Sequence, residues 1–228
     1  MKTSDLENII SIKFHREELL KEALTHRSYI NEKPNWRLPH NERLEYLGDA
    51  VLELAVTEKL FQKFTKEAEG KLTVLRAALV NYQMLARVAE EINLKDFIFM
   101  SKGESRDNGK ARDVILSNAI EALIGAIHLD QGFDSASRFI DKFIMKHLSG
   151  ILENESYKDS KSKLQEIAQE KYKVTPTYHV LDESGPAHDR IFKVGVYLDK
   201  KLISEGSGTS KQEAEIEAAT HALRDLAE

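Results

Sequence analysis

The feature that most constrains the fold is the stretch DVILSNAIEALIGAIHL, which covers residues 113–129. Drawn as a helix it is apolar almost all round, and a helix of that kind is buried at the centre of a protein. Two polar members, Asn118 and Glu121, are three residues apart and therefore share one face. Because a carboxylate is almost never fully buried without a partner, the stretch predicts a central helix that carries a polar site.

The spacing of apolar residues divides the chain into two regions. From Leu6 to Leu148 apolar residues recur every three or four positions, which predicts a helical region without strands. The predicted helices cover residues 16–30, 49–64, 72–92, 113–129 and 135–148.

A polar segment over residues 149–162 precedes a different pattern. In this second region of the chain we predict a helix over 162–172, strands over 175–184, 190–199 and 201–208, and a helix over 209–228. Ser210 and Glu213 form a capping-box pattern at the start of this last helix. The fold class is therefore an all-α domain (1–150), a linker (151–158) and an α+β domain of order α-β-β-β-α (159–228).

Composition excludes several classes of function. The chain has 228 residues and no Cys, so it has no disulfide framework, thiolate nucleophile or sulfur-ligated zinc site. Residues 1–150 hold 22 Lys and Arg against 23 Asp and Glu, and residues 151–228 hold 11 against 15, so phosphate binding depends on local clusters. Without a long apolar run or a secretory signal, we expect a cytoplasmic protein that does not bind a membrane.

The stretch HNERLEYLGDAVLEL, residues 40–54, predicts a second helix with a row of acidic side chains. The row lies within roughly 80° of arc beside an apolar stripe and has almost no Lys or Arg at i+4 to relieve repulsion. Its members are Glu42, Glu45, Asp49 and Glu53. Such a row is more often a solvated surface than a site, and Gly48 within it is a poor helix former.

Two interpretations of the central helix stay open. Asn118 is either a ligand or a hydrogen-bonded core amide. Glu121 is either a ligand or one half of a salt bridge, for which the sequence offers Arg43, Arg76 and Arg112.

Taken together, the two helices supply an all-oxygen cluster of Glu45, Asp49, Glu121 and the side-chain carbonyl of Asn118. Hard divalent ions such as Mg²⁺ and Mn²⁺ prefer oxygen ligands of this kind. A bound ion of this type lowers the pKa of a water ligand and polarises a phosphate. The cluster therefore predicts metal-dependent hydrolysis of a phosphodiester.

These segments resemble a known family. HNERLEYLGDAVLEL closely resembles the signature of the ribonuclease III family, with ALTHRSY upstream and ILSNAIEALIGAIHLDQG downstream in the expected order. SKLQEIAQEKYKVTPTYHVLDESGPAHDRIFKVGVY and GSGTSKQEAEIEAA resemble the double-stranded RNA-binding domain of bacterial members. The resemblance covers essentially the whole chain. It implies an all-α N-terminal nuclease domain, which homodimerises, followed by an α+β double-stranded RNA-binding domain.

The resemblance also implies an activity. Two metal sites would line one valley that holds an RNA duplex, and each would cut one strand. The products would carry 5′-phosphate and 3′-hydroxyl ends with short 3′ overhangs, and the substrates would be ribosomal RNA precursors and structured mRNAs. No small-molecule cofactor is expected besides Mg²⁺ or Mn²⁺.

Residue by residue, Asp49 and Glu121 resemble the family's catalytic positions. The metal ligands of the family correspond to Glu45, Asp49, Asn118 and Glu121. Glu42 resembles a position near the dimer interface and the active site. Glu53 resembles no catalytic position and is expected on the solvated surface.

Position 118 departs from the family motif, which has Asp where this chain has Asn. An amide oxygen still binds a hard cation but brings no charge, so Mg²⁺ affinity should fall. The residue is either a natural variant that works or a substitution that traps an RNA complex. Two other functions stay open: a silent duplex-RNA binder, and a Mg²⁺ enzyme acting on a small diphosphate, which would not need the second domain.

The resemblance points to four RNA contacts in the second region. Gln165 and Glu166 resemble minor-groove contacts on its first helix, and His188 resembles a loop contact with the next minor groove. Lys211 lies in the first turn of the last helix, where free N–H groups and the helix dipole favour phosphate. Without the resemblance, Lys211 would be a solvated lysine and His188 an ordinary loop residue. Gln212 occupies a position where the family often has a second basic residue.

Overall fold

The computed structural model describes residues 3–104, 109–153, 160–185 and 190–226. The chain divides into two compact units, Met1–Tyr157 and Lys158–Glu228. Each unit has its own cluster of buried apolar side chains. Within the described ranges, no helix is both long enough and apolar enough to cross a membrane.

The described part of the first unit is helical. Its α-helices are α1 (Thr3–Ile10), α2 (Glu17–Ala23), α3 (Arg27–Glu32), α4 (Glu42–Lys63), α5 (Glu69–Val80), α6 (Tyr82–Glu91), α7 (Lys110–Gln131), α8 (Phe133–Phe143) and α9 (Leu148–Glu153). Short 3-10 turns at Leu94–Phe97 and Met145–His147 follow α6 and α8. Helix α9 includes residues 151–153, which are the first three residues of the predicted linker. Residues 154–158 of that linker lie outside the described residues.

The apolar stretch at 113–129 forms the centre of the first unit. It belongs to α7, which contacts α2, α4, α6 and α8, and residues 122–127 are all buried. The C-terminal end of α7 is held by Asp130, whose side chain is inaccessible to solvent. Its carboxylate accepts hydrogen bonds from the backbone N–H groups of His15 and Arg16, at 2.9 and 3.0 Å, and so holds the residues that lead into α2 against the end of α7.

Two helices predicted as continuous are each broken at one polar residue. The predicted helix over 16–30 is divided at Thr25, which forms a bridge with Phe99 and donates its hydroxyl to the carbonyl of Lys21 at 2.6 Å. The predicted helix over 72–92 is divided at Asn81, whose side chain accepts from the N–H of Met84 at 2.9 Å. The helices on either side of Asn81 bury side chains in the same core, so apolar spacing alone does not reveal that break, whereas α3 has no buried residue.

The second unit has the predicted order α-β-β-β-α. Its elements are α10 (Ser160–Tyr172), β1 (Thr177–Ser184), β2 (Ile191–Leu198), β3 (Lys201–Gly208) and α11 (Lys211–Asp225). The strands form an antiparallel sheet in the order β1-β2-β3.

Small residues let the last helix of this unit lie close to the sheet. Ala218 and Ala222 of α11 pack with Leu164 of α10 and Val196 of β2. A Cβ atom on Gly206 would lie only 2.2 Å from the backbone nitrogen of Ala218. Glycine at this position therefore permits the contact between β3 and α11.

Candidate metal centre and RNA-binding surface

Two glycines determine how closely α4 and α7 approach. A Cβ atom on Gly48 would lie 1.7 Å from the carbonyl oxygen of Glu121, and one on Gly125 would lie 2.3 Å from that of Leu44. Real Cβ contacts essentially never fall below 3.0 Å, so any larger residue would force the helices apart. Gly48, unfavourable in a helix interior, is therefore explained by this crossing.

The crossing brings together the four oxygen-bearing side chains that the sequence predicts as a cluster. Glu45 and Asp49 come from α4, on either side of Gly48, and Asn118 and Glu121 come from α7. Hydrogen bonding by the Asn118 side chain opposes the rise in the pKa of Glu45, and the charges of Glu45 and Asp49 both act on Glu121. Asp49 is exposed and the other three are half-buried, so the cluster lies at the edge of the core.

Burial and mutual repulsion raise the pKa of two of these carboxyls. Burial first, then the charges of Asp49 and Glu45, raises the pKa of Glu121 to about 7. Burial, followed by the charge of Glu42, also raises the pKa of Glu45, and the hydrogen bond from Asn118 opposes this rise. Carboxyls held together against their repulsion are typical of functional sites rather than of packing.

Among the described residues, no basic side chain pairs with Glu121. The three arginines that the sequence offers as partners lie elsewhere: Arg76 pairs with Glu53 at 2.8 Å, Arg112 pairs with Glu90 at 2.9 Å, and Arg43 is exposed and acts on Glu22. Glu53, expected as solvated surface, is therefore half-buried in an ion pair outside the cluster.

The amide of Asn118 on α7 acts on Glu45 of α4. Its oxygen accepts a hydrogen bond from the hydroxyl of Ser117 at 3.3 Å, and hydrogen bonding by the side chain lowers the pKa of Glu45 against the effect of burial. An aspartate at this position would accept hydrogen bonds only and would repel Glu45. Asn118 therefore favours an ionised Glu45, although it contributes no charge of its own.

The donor set fits a hard divalent ion that takes few direct protein ligands. In the described ranges, no three or more Asp, Glu or His side chains are arranged so that they alone could hold a metal. Carboxylates without a cation between them repel each other, and one of the four donors here is an amide. Mg²⁺ commonly binds one or two carboxylates and completes its shell with water and substrate phosphate, which this open cluster permits.

Glu42 lies beside the cluster, at the first residue of α4. Its exposed carboxylate is 3.4 Å from Arg27 and 3.8 Å from His40. Its charge also raises the pKa of Glu45, which lies one turn further along the helix. Glu42 thus influences the cluster electrostatically while pairing with groups outside it.

The apolar stripe that borders the acidic row on α4 is exposed at three positions. Tyr46, Leu54 and Phe61 are 83%, 58% and 70% exposed. Phe61 borders a cavity of about 380 Å³ between α4 and α5, which Leu60 and Leu72 also line. Large apolar side chains at spacings of seven and eight were the signal available in the sequence.

The predicted RNA contacts of the second unit lie on exposed positions where they are described. Gln165 and Glu166 are exposed on α10, and Lys211 is the exposed first residue of α11. His188 lies outside the described residues. The predicted cap of α11 is present in part, because Ser210 accepts from the N–H of Glu213 at 3.2 Å. The carboxylate of Glu213 accepts from the N–H of Thr209 at 3.0 Å.

Family models match both units. One described as Ribonuclease-III-like matches residues 16–148, and the double-stranded RNA binding motif matches residues 160–226. The chain belongs to the ribonuclease III family. Its helical unit is thus the ribonuclease III nuclease domain, and its α-β-β-β-α unit is the double-stranded RNA-binding domain, as the motifs indicate.

Similar proteins agree with membership of the ribonuclease III family along the whole chain. Ribonuclease 3 of Enterococcus faecalis is 43% identical over 225 residues, which is 98% of this chain and 97% of that protein. Ribonuclease 3 of Campylobacter jejuni subsp. doylei is 46% identical over 221 residues, covering 97% and 96%. A solved nuclease domain of ribonuclease III from Campylobacter jejuni is 48% identical, with a TM-score of 0.58, and covers 64% of this chain and 97% of that one. That structure concerns flexibility in a region involved in dimer formation.

Proposed function

We propose that this member of the ribonuclease III family is an endoribonuclease that hydrolyses phosphodiester bonds in double-stranded RNA with Mg²⁺ or Mn²⁺. One observation carries the proposal: Glu45, Asp49, Asn118 and Glu121 meet where α4 crosses α7, in a chain that also has a double-stranded RNA-binding domain. An enzyme acting on a small diphosphate would have no use for that second domain.

Each residue of the cluster has a proposed role. Glu45, Asp49, Glu121 and the amide oxygen of Asn118 hold the ion, one or two of the carboxylates directly and the other groups through its water ligands. When bound, a divalent ion lowers the pKa of a water ligand and stabilises charge on the phosphate. Asp49 is the exposed member and so faces the side that substrate reaches. Because the pKa of Glu121 is about 7, its proton competes with the cation near neutral pH.

The nuclease domain is proposed to act as a homodimer that joins along the apolar stripe of α4. Tyr46, Leu54 and Phe61 are exposed along one side of α4, and neighbouring exposed apolar side chains of this kind mark protein–protein interfaces. A two-fold interface there would also bring the two acidic rows near each other, since stripe and row are adjacent on α4. Each site would then cut one strand and leave 5′-phosphate and 3′-hydroxyl ends with short 3′ overhangs. Ribosomal RNA precursors and structured mRNAs are the proposed substrates.

Cleavage of a long RNA duplex during a Mg²⁺ titration tests the enzyme proposal. Glu121→Gln should lower the cleavage rate by about 10²-fold or more, the size expected when one charge-stabilising group is removed. Glu58→Gln is the matched control, because Glu58 is an exposed carboxylate on a later turn of α4 that accepts a hydrogen bond from Gln62 at 3.1 Å. Equal rates for Glu121→Gln and the parent would refute the proposed site.

Cleavage by Asn118→Asp in the same titration distinguishes an active enzyme from the second candidate function, a duplex-RNA binder that does not cut. If the parent chain does not cut and Asn118→Asp does, this chain is a duplex-RNA binder with a disabled metal site. The observation that favours this alternative is the uncharged amide at position 118, which brings no negative charge to the metal site.

Sedimentation of the full chain tests the proposed dimer. Phe61→Glu should convert a dimer into a monomer, because the carboxylate would have to be desolvated at the interface. Leu129→Glu is the control, since Leu129 is 47% exposed on α7 and not on the stripe. A dimer that survives Phe61→Glu would exclude this face.

A further inference from the structure

One carboxylate of the RNA-binding domain neutralises two cations at the end of the sheet where α11 begins. Glu183 lies near the end of β1, and its two oxygens pair with different residues. One oxygen is 3.4 Å from a guanidinium nitrogen of Arg190, and the other is 3.5 Å from the ammonium of Lys211. Glu183 is therefore shared by the proposed phosphate-binding lysine and by an arginine next to β2.

The strand register fixes this arrangement. Glu183 pairs with Phe192 across β1 and β2, and Phe192 pairs with Gly208 across β2 and β3. A Cβ atom on Gly208 would lie 2.6 Å from the Cβ of Glu213, so the first turn of α11 approaches the sheet closely there. The ammonium of Lys211 lies 5.6 Å from the Phe192 ring centroid, within reach of Glu183.

We infer that Glu183 is an intramolecular competitor for phosphate, which lowers the affinity of the RNA-binding domain for duplex RNA. A carboxylate and a phosphate oxygen use the same donors on Lys and Arg. Any phosphate that binds Lys211 or Arg190 must displace Glu183 or lie close to its negative charge. This inference rests on the proposed function, because it assumes that Lys211 binds RNA phosphate.

The pairs are exposed enough for RNA to displace them. The side chains of Glu183, Arg190 and Lys211 are 38%, 47% and 58% exposed. Exposed ion pairs of this kind are weak, so a polyanion competes for the cations effectively. Gln212, next to Lys211, carries no charge. Neutralisation of Lys211 and Arg190 by Glu183 therefore has a larger effect on RNA binding than it would beside a second basic residue.

Equilibrium binding of the full chain to a short labelled RNA duplex tests the inference. Divalent ions are omitted so that the RNA is not cleaved during the measurement. Glu183→Gln should tighten binding by about 2- to 5-fold at low salt, as expected for release of exposed ion pairs. The gain should shrink as salt rises, because screening weakens both pairs. Glu205→Gln is the matched control: Glu205 is 39% exposed and pairs with a lysine, Lys193, at 2.6 Å on the neighbouring strands.

Each comparison decides one point. If Glu205→Gln tightens binding as much as Glu183→Gln, the gain reflects net charge and the inference fails. If Glu183→Gln gives no gain while Lys211→Gln weakens binding, the inference fails and Lys211 stands as the RNA contact that the family resemblance implies. If Lys211→Gln has no effect, Lys211 is not an RNA contact. In the Lys211→Gln background, Glu183→Gln should give a smaller gain, and an undiminished gain would contradict competition for Lys211.

Discussion

Replacing Gly48 with Ala tests whether the contact between α4 and α7 forms the candidate metal centre. The new Cβ would lie 1.7 Å from the carbonyl oxygen of Glu121 and 2.9 Å from the backbone nitrogen of Gly125. To reach the smallest separation that real Cβ contacts show, 3.0 Å, the first distance must increase by at least 1.3 Å. The obstacles are backbone atoms in a buried helix, which cannot rotate away as a side chain can.

The expected cost to stability is large. Overpacking a well-packed core typically costs about 1–3 kcal/mol, and a clash between two helix backbones belongs at or above the upper end of that range. A domain is usually stable by only about 5–15 kcal/mol, so the loss is easily measured by urea unfolding. The effect arises where α4 and α7 pack against each other in the first unit.

Catalysis should fall further than stability alone explains. Glu45 and Asp49 flank Gly48, so widening the crossing moves them away from Asn118 and Glu121. A displacement of about 1 Å in a catalytic site costs on the order of 10²-fold in rate. Mg²⁺-dependent cleavage of duplex RNA, measured per folded molecule at a temperature where the variant is native, should show this loss.

A second glycine of the same domain provides the control. Gly70 lies in the first turn of α5 and is exposed, and a Cβ atom added there would have no atom of the described residues within 4 Å. Gly70→Ala should leave cleavage unchanged and raise stability by about 0.4–1 kcal/mol through the unfolded state. If Gly48→Ala unfolds and cleaves like Gly70→Ala, the close crossing does not form the site.

The remaining predictions concern the pH dependence of stability, the binding of Mg²⁺ and the hydrogen bonds of Asp130. Without divalent ions, stability should fall as the pH rises from about 4.5 to about 7, because native Glu121 keeps its proton to a pKa of about 7 and the unfolded chain does not. Glu121→Gln should remove about 1–2 kcal/mol of that fall in urea unfolding, allowing for solvent screening of a half-exposed group, and an unchanged pH profile would contradict this. Asn118→Asp should destabilise the metal-free protein and lower the Mg²⁺ concentration for half-maximal thermal stabilisation by on the order of tenfold, and calorimetric scans with and without Mg²⁺ check both directions. Asp130→Ala should lower the free energy of unfolding by about 1–3 kcal/mol, since the N–H groups of His15 and Arg16 lose their acceptor; an unaltered melting temperature would exclude that role.

The sequence by itself indicated the class of most elements and the chemistry proposed for the candidate site, although α1 and α9 lie outside the predicted helices. The apolar residues on all sides of 113–129 were sufficient to predict a central helix, because a helix that is buried on every side needs apolar residues on every side. The change from helical spacing to strand alternation indicated the order of the second unit for the same local reason. The oxygen-bearing side chains of the cluster could be chosen because unpaired carboxylates next to apolar faces are unusual on purely structural grounds.

Only the tertiary structure decided which residues meet and with what effect. Gly48 is recognised as a close-contact residue only when Gly125 and the carbonyl of Glu121 are seen opposite it. The raised pKa of Glu121 depends on burial and on charges from another helix, and the pairing of Glu183 with Lys211 depends on strand register. The break at Thr25 likewise involves its bridge with Phe99, a residue far along the chain, whereas the break at Asn81 is marked by a local cap that apolar spacing does not record. Periodicity records which face of an element is buried, whereas distances between elements depend on the path of the whole chain.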